Sequence, residues 1–299
     1  MATPPRRILP GATYFVTRRC SERRFFLRPS RLTNGVVLYV LAVAAQRYGV
    51  QVHAFCVLSN HIHLVLTDRK GCLPAFMQYL DSLVARAVNA ALGRFEGFWA
   101  QDGSYSAVEP LAPADVVAKT AYVLANPVAA GLVRRGSDWP GLRTSPDQLG
   151  AAKLVARRPD HFFDPDGSMP EMVELELAPP PGFMAAQFRA LVGAAVEQEE
   201  ERHRHRAASE GRRFLGVARI LAQSPFASPA RGGRRFGMKP RVAARDTWKR
   251  VEGLSRLKAF LLEYRTAWLA RRAGVANVIF PSGTYLLRVM HGVQCAGAG

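Results

Sequence analysis

Acidic residues are scarce in this chain. Against 41 Lys and Arg stand 23 Asp and Glu, so the 299 residues carry a formal charge of +18. That imbalance excludes a polycation as the natural partner and points to a polyanion. Cysteine is thin as well. Cys20, Cys56, Cys72 and Cys295 are scattered without a CxxC pair, which excludes a zinc ribbon and gives no disulfide framework. No apolar run approaches the roughly 20 residues that span a bilayer, so no membrane partner is expected. The opening MATPPRRILPG holds no apolar signal core, so export is not expected and the cytoplasm is the expected compartment. Neither GxxxxGK[ST] nor GxGxxG occurs, which removes the common nucleotide-cofactor classes, and no internal repeat is visible.

What is present suffices for a core, since 48% of the residues are hydrophobic. ATYFVTRR, residues 12–19, is rich in β-branched and aromatic residues and predicts a first strand. Residues 30–48 carry an apolar stripe at helical spacing. VQVHAFCVL and HIHLVLT read as strands separated by Ser59-Asn60, and LPAFMQYLDSLVARAVNAALGRF as a long amphipathic helix. FWAQDGSYSAVEP looks irregular or strand-like, and PADVVAKTAYVLANP predicts a helix that Pro127 stops. This order predicts an α+β fold, a ferredoxin-like antiparallel sheet covered by helices.

The expected organisation is a first unit over 1–150, an acidic, proline-bearing linker over 151–201, and a basic, partly flexible extension over 202–299 with a terminal helix. Between 202 and 250, 14 Lys and Arg face only Glu210 and Asp246. SPFASPARGGRRFGMKPR within that stretch reads as a flexible basic segment. In the terminal helix, Phe260, Tyr264 and Trp268 recur every four residues, as a packing stripe does.

HIHLVLT carries the chemistry. Residues i and i+2 of a strand face the same way, so His61 and His63 project together while Ile62, Leu64 and Leu66 face the core. Their Cα atoms are then about 6.5 to 7 Å apart, a span two imidazoles can close around one divalent ion. Two histidines do not complete a catalytic metal site; a third ligand and open positions are needed. In AYVLANP, Tyr122 and Asn126 share a helical face. Asn126 offers an amide oxygen suited to Mg²⁺ or Mn²⁺, and Tyr122 a phenolic nucleophile one turn away. A half-buried aromatic and a pre-proline cap would account for the same two residues. Tyr105 is a second candidate nucleophile, Tyr79 and Tyr264 are weaker ones, and Glu96 and Asp102 are candidate auxiliary ligands. A histidine-triad nucleotide hydrolase would need a histidine at position 65, where Val65 stands.

AFCVLSNHIHLVLT followed by YVLANPVAAGLV resembles the signature of REP-associated tyrosine transposases, members of the single-tyrosine HUH transposase superfamily. His61-Ile62-His63 matches the HUH triplet, with Asn60 before it. Tyr122 matches the family's tyrosine ahead of Asn126-Pro127-Val128 and Gly131-Leu132-Val133, and Phe98-Trp99-Ala100-Gln101 resembles the aromatic segment before its next strand. Ala129-Ala130 replaces the cation usual after the NPV. The resemblance covers about residues 8–145, and part of the basic tail is similar to an extension found on proteobacterial members. It implies a DNA transposase and endonuclease that cleaves and rejoins single-stranded DNA at repeat hairpins through a 5′-phosphotyrosine intermediate. Tyr122 would attack; His61, His63 and Asn126 would hold Mg²⁺ or Mn²⁺; Arg18, Arg19, Arg23 and Arg24 would contact DNA. Relatives include both monomers and homodimers. A catalytically silent DNA-binding protein on the same scaffold is the alternative.

Overall fold

The computed structural model describes residues 4–101, 104–230 and 240–297. ATYFVTRR forms β1 (Ala12–Arg19). Helix α1 (Arg31–Tyr48) starts where the Ser30 hydroxyl accepts the Thr33 N–H at 3.0 Å and stops at Gly49, whose φ of 66° suits glycine. Strands β2 (Val50–Leu58) and β3 (His61–Asp68) make a hairpin around Ser59 and Asn60. Helix α2 (Leu73–Ala91), β4 (Ser106–Pro110) and α3 (Pro113–Ala129) follow. The sheet runs β2-β3-β1-β4 with every neighbour antiparallel. That is the βαββαβ order of a ferredoxin-like sheet, so the chain adopts the expected α+β architecture.

Strand alternation splits the sheet into two faces. Val16, Ile62, Leu64 and Leu66 pack with α1 and α2 around Tyr39 and Phe76. On the opposite face Cys56 and Val65 meet α3 through Val116, Ala121 and Leu124. Both β2 and β3 are buried along nearly their whole length, which explains their almost unbroken apolar sequence.

A bulge at His53 shifts the register of β2 against β3 between Val52 and Ala54. The imidazole is wholly buried, Nδ1 lying 2.8 Å from the Ala178 carbonyl and Nε2 2.8 Å from Thr67 Oγ1. A carbonyl only accepts, so Nδ1 carries the proton and Nε2 accepts from the threonine. Burial holds the His53 pKa down to about 4, below its value in the unfolded chain. The unfolded chain therefore binds the extra proton, and the native state loses stability as pH falls from about 6.5 toward 4, by roughly 3 kcal/mol for this group. His53→Gln should flatten that acid limb in urea titrations from pH 7 to 4; parallel curves for variant and wild type would refute this assignment.

Helix α3 continues two residues past Pro127, beyond the expected stop. Pro127 lacks only one N–H, and the terminus is set by Gly131 instead, with φ 70°. Its N–H donates to the Val128 carbonyl at 2.9 Å and that of Leu132 to the Pro127 carbonyl at 3.0 Å, the paired bonds of a Schellman cap.

Residues 151–201, expected as a linker, are built into the core. Strands β5 (Lys153–Arg157) and β6 (Met172–Glu176) form a second small sheet, and α4 (Ala185–Ser209) packs along α3 through Phe188, Val192 and Val196. In MVELELA the acids occupy only the outer face; Val173, Leu175 and Leu177 alternate inward against α1. The Tyr39 hydroxyl ties this layer down by donating to the Pro170 carbonyl at 2.6 Å.

The basic extension wraps the same core. After α4 the chain donates from Leu215 and Gly216 to the carbonyls of Gly131 and Leu132, then forms α5 (Val217–Ala222). Strand β7 (Val242–Ala243) adds to β4 in parallel, and α6 (Thr247–Arg272) begins where Asp246 accepts the Lys249 N–H at 2.9 Å. Residues 231–239, within the segment expected to be flexible, lie outside the described residues. Phe260 is buried and Tyr264 packs 5.7 Å from the Phe280 ring, whereas Trp268 is partly exposed beside Arg272. The chain closes with α7 (Leu286–His291). No helix among the described residues is long and apolar enough to cross a membrane.

Candidate active site

His61 and His63 open β3 on the face that α3 covers, opposite Arg19 and Thr17 of β1. Their ring centroids lie 4.6 Å apart, nearly perpendicular. Asn60, at the hairpin turn, holds both the first imidazole and the loop beside it. Its Oδ1 accepts from His61 Nδ1 at 2.6 Å, and its Nδ2 donates to the Arg23 carbonyl at 3.1 Å. An accepting oxygen on Nδ1 puts the His61 proton there and leaves Nε2 unprotonated, with Asn126 a further hydrogen-bond neighbour of this imidazole. The loop so clamped is strained, since Glu22 and Arg23 both take positive φ, 50° and 58°. His63 is oriented in the same way, its Nδ1 lying 2.9 Å from Thr17 Oγ1.

Helix α3 brings the other two groups. Asn126 is 6% exposed and its Nδ2 stands 3.3 Å from His63 Nε2. One turn earlier Tyr122 is 43% exposed, and its ring meets that of His63 edge-on at 5.7 Å. Phe15 of β1 stacks on His63 and meets Tyr122 edge-on, fixing both rings. His61, His63, Tyr122 and Asn126 therefore occupy one spot, although more than 60 residues separate the strand pair from the asparagine.

Burial dominates the electrostatics. It pushes the His61 pKa down to about 3, with the charges of Arg19 and Arg23 adding to the effect. His63 lies well below its ordinary value for the same reason, helped by His61 and Arg19. Both imidazoles are thus neutral at physiological pH, the ligating form. Among the described residues no cluster of three or more His, Cys, Asp or Glu side chains could hold a metal. A metal at this spot depends on two imidazole nitrogens and the Asn126 amide, with the remaining positions open. That set fits a small divalent ion: both Nδ1 atoms are engaged, and a half-turn of the amide presents its oxygen in place of Nδ2.

The four arginines separate. Arg19 is exposed on the histidine face, and Arg23 flanks His61. Arg18, expected at the DNA interface, points through the sheet, pairing with Asp81 at 3.0 Å and donating to the Ala100 and Ser104 carbonyls. Successive strand residues face opposite ways, so Arg18 cannot share the face of Thr17 and Arg19. Arg24 is held by Glu22 at 2.7 Å and by the Phe226 carbonyl at 2.6 Å. Tyr105 is 5% exposed with its hydroxyl buried, Tyr79 packs against Tyr48, and Glu96 is exposed on the loop after α2. Asp102 lies outside the described residues.

Three neighbours escaped the sequence reading. Thr17 and Phe15 alternate on β1 facing the histidines, which only the strand register reveals. Lys119 sits one turn before Tyr122, its Nζ 5.8 Å from that ring and 5.5 Å from Phe15. Burial lowers the Lys119 pKa, and the Asp115 carboxylate partly restores it. Its i−3 spacing from Tyr122 was the available signal.

No protein-family model matches the chain, and no curated protein matches it. Among solved structures, it is similar to a REP-associated tyrosine transposase bound to a REP hairpin, at 20% identity and a TM-score of 0.39, over 47% of this chain and 81% of that one. It is also similar to a crystal structure from Deinococcus radiodurans R1, provisionally described as a transposase, at 18% identity and a TM-score of 0.28, over 36% of this chain and 85% of that one. Likenesses this distant say nothing about chemistry.

Proposed function

We propose that this chain cleaves and rejoins single-stranded DNA by transesterification at Tyr122. The observation that carries the reading is the convergence of a half-exposed phenol, two neutral imidazoles and one amide on a single sheet face. The Tyr122 oxygen attacks phosphorus, a new P–O bond forms to the phenol, and the bond from phosphorus to the 3′-oxygen breaks. The phenolic proton leaves to solvent and the departing 3′-oxygen takes one up, so the 5′-phosphate remains on tyrosine. A returning 3′-hydroxyl reverses the step, and the stored ester removes any need for a nucleotide cofactor. Bound Mg²⁺ or Mn²⁺ would supply Lewis-acid polarisation of the scissile phosphate. His61, His63 and Asn126 would hold it, with Asn60 and Thr17 fixing the rings. Phe15 keeps Tyr122 against His63, and Arg19 and Arg23 would contact flanking phosphates.

Lys119 favours negative charge developing on the phenol oxygen, because its ammonium is half-buried beside that ring. Lys119→Met should slow single-turnover cleavage by about tenfold to hundredfold, and Lys119→Arg should recover part of the loss. Equal rates in Lys119→Met and wild type would remove lysine from the mechanism.

The test of the function is direct. With Mn²⁺ and a labelled single-stranded hairpin, the substrate implied by the sequence resemblance, a protein–DNA adduct stable to denaturant should form. Hairpin binding without adduct in any divalent metal would instead make the chain a silent DNA-binding protein.

A further inference from the structure

A pocket lies across the sheet from Tyr122, between residues 5–8, the paired ends of β4 and β7, and α6. Its empty volume is about 530 Å³ including the open mouth. Arg6, Arg7, Arg241 and Arg256 line it, against the single carboxylate of Glu109. Tyr14 lines it too, and Tyr14 alternates with Phe15 on β1, so the pocket opens on the sheet face opposite the tyrosine site.

Several features make this more than a solvated basic surface. Arg6 is fixed: its Nη2 donates to Ser104 Oγ at 2.6 Å and to the Tyr105 carbonyl at 2.5 Å, with its guanidinium 4.1 Å over the Tyr105 ring. Its Nε is nevertheless buried with no acceptor among the described residues. Arg7, Arg241 and Arg256 make no side-chain hydrogen bond or ion pair among the described residues, and Glu109 neutralises none of them there. Burial and the nearby charge of Arg6 lower the pKa of Arg241, as crowding of like charges does. The wall is also held close. Gly253 lets α6 touch Leu111 at the end of β4, where an added Cβ would collide, and this seats Arg256 at the pocket.

We infer that this pocket binds phosphate, with Arg7, Arg241 and Arg256 supplying guanidinium donors around a cavity floored by Arg6. Guanidinium forks match phosphate oxygens, and an anion there relieves the crowding of charge. The phosphate chemistry stands on the pocket alone. Taking its source to be the backbone of a DNA strand, beyond the segment at Tyr122, rests on the proposed function.

Two probes on the full chain test this, single-stranded oligonucleotide and inorganic phosphate. The variants are Arg241→Gln/Arg256→Gln and, on the exposed face of α6 where folding is not at stake, Arg256→Glu. If a strand is the ligand, the double variant should lower the slope of log affinity against log salt by about 1.4, two contacts at about 0.7 each. If free phosphate is the ligand, its saturable broadening in ³¹P spectra should vanish in both variants while the strand slope holds. An unchanged slope together with no saturable phosphate binding by wild type overturns the pocket. Adduct formation in the same samples separates the two ideas: wild type without adduct sinks the Tyr122 chemistry and leaves the slopes to judge the pocket.

Discussion

Tyr122→Phe is expected to abolish the denaturant-stable protein–DNA adduct while leaving the fold intact. The substitution removes one oxygen, and that oxygen is the atom proposed to bond phosphorus. The ring remains, so the edge-on contacts with His63 at 5.7 Å and Phe15 at 5.7 Å persist. Tyr122 is 43% exposed and its hydroxyl makes no hydrogen bond among the described residues, so stability should change by less than about 0.5 kcal/mol. Loss of a covalent nucleophile costs on the order of 10³-fold or more even where the rest of a site is preserved. Cleavage should therefore fall below detection while hairpin affinity remains within about twofold. An adduct surviving in this variant would put the nucleophile elsewhere, and the burial of Tyr105 makes that residue a poor substitute.

His63→Ala should have the second largest effect, on metal binding and stability at once. His63 is 4% exposed and links Thr17, Phe15, Tyr122 and Asn126. Removing it takes away one of two imidazole nitrogens, and Mn²⁺ affinity should drop at least about 100-fold by calorimetry. Without metal, the variant should still lose about 1–3 kcal/mol in urea, since a cavity replaces the ring and the Asn126 Nδ2 loses its partner. Wild type should prefer Mn²⁺ to Mg²⁺, because nitrogen ligands suit the former and Mg²⁺ prefers oxygen. Unaltered Mn²⁺ affinity in His63→Ala would exclude the histidine pair as the metal site.

How much of this was visible beforehand depended on whether the signal was local. The strands of ATYFVTRR, VQVHAFCVL and HIHLVLT declare themselves because apolar period and turn residues lie within a few positions, and the ferredoxin-like order follows from them. The pairing of His61 with His63 and of Tyr122 with Asn126 was equally local, an i+2 and an i+4 relation. That the two pairs meet was not, since it depends on α3 lying on the histidine face. Arg18 and Arg19 were separable from alternation alone, yet charge composition treats them alike. The stretch 151–201 misled because its acids are one face of a strand whose other face is Val173, Leu175 and Leu177. The helix end misled because proline is a weaker stop than Gly131 in a left-handed turn.

Short pairings at the rims of the sheet govern how the chain can be cut. Leu177 bridges to Val52 on the outer side of β2, and β7 lies along β4. Neither rim strand is left wholly open there to recruit a foreign strand. A fragment ending before residue 202 would keep His61, His63, Tyr122 and Asn126 but strip β7 from β4 and release the carbonyls of Gly131 and Leu132. Such a fragment should precipitate on purification where the full chain stays in solution, because the basic tail covers a rim of the sheet that holds the candidate site.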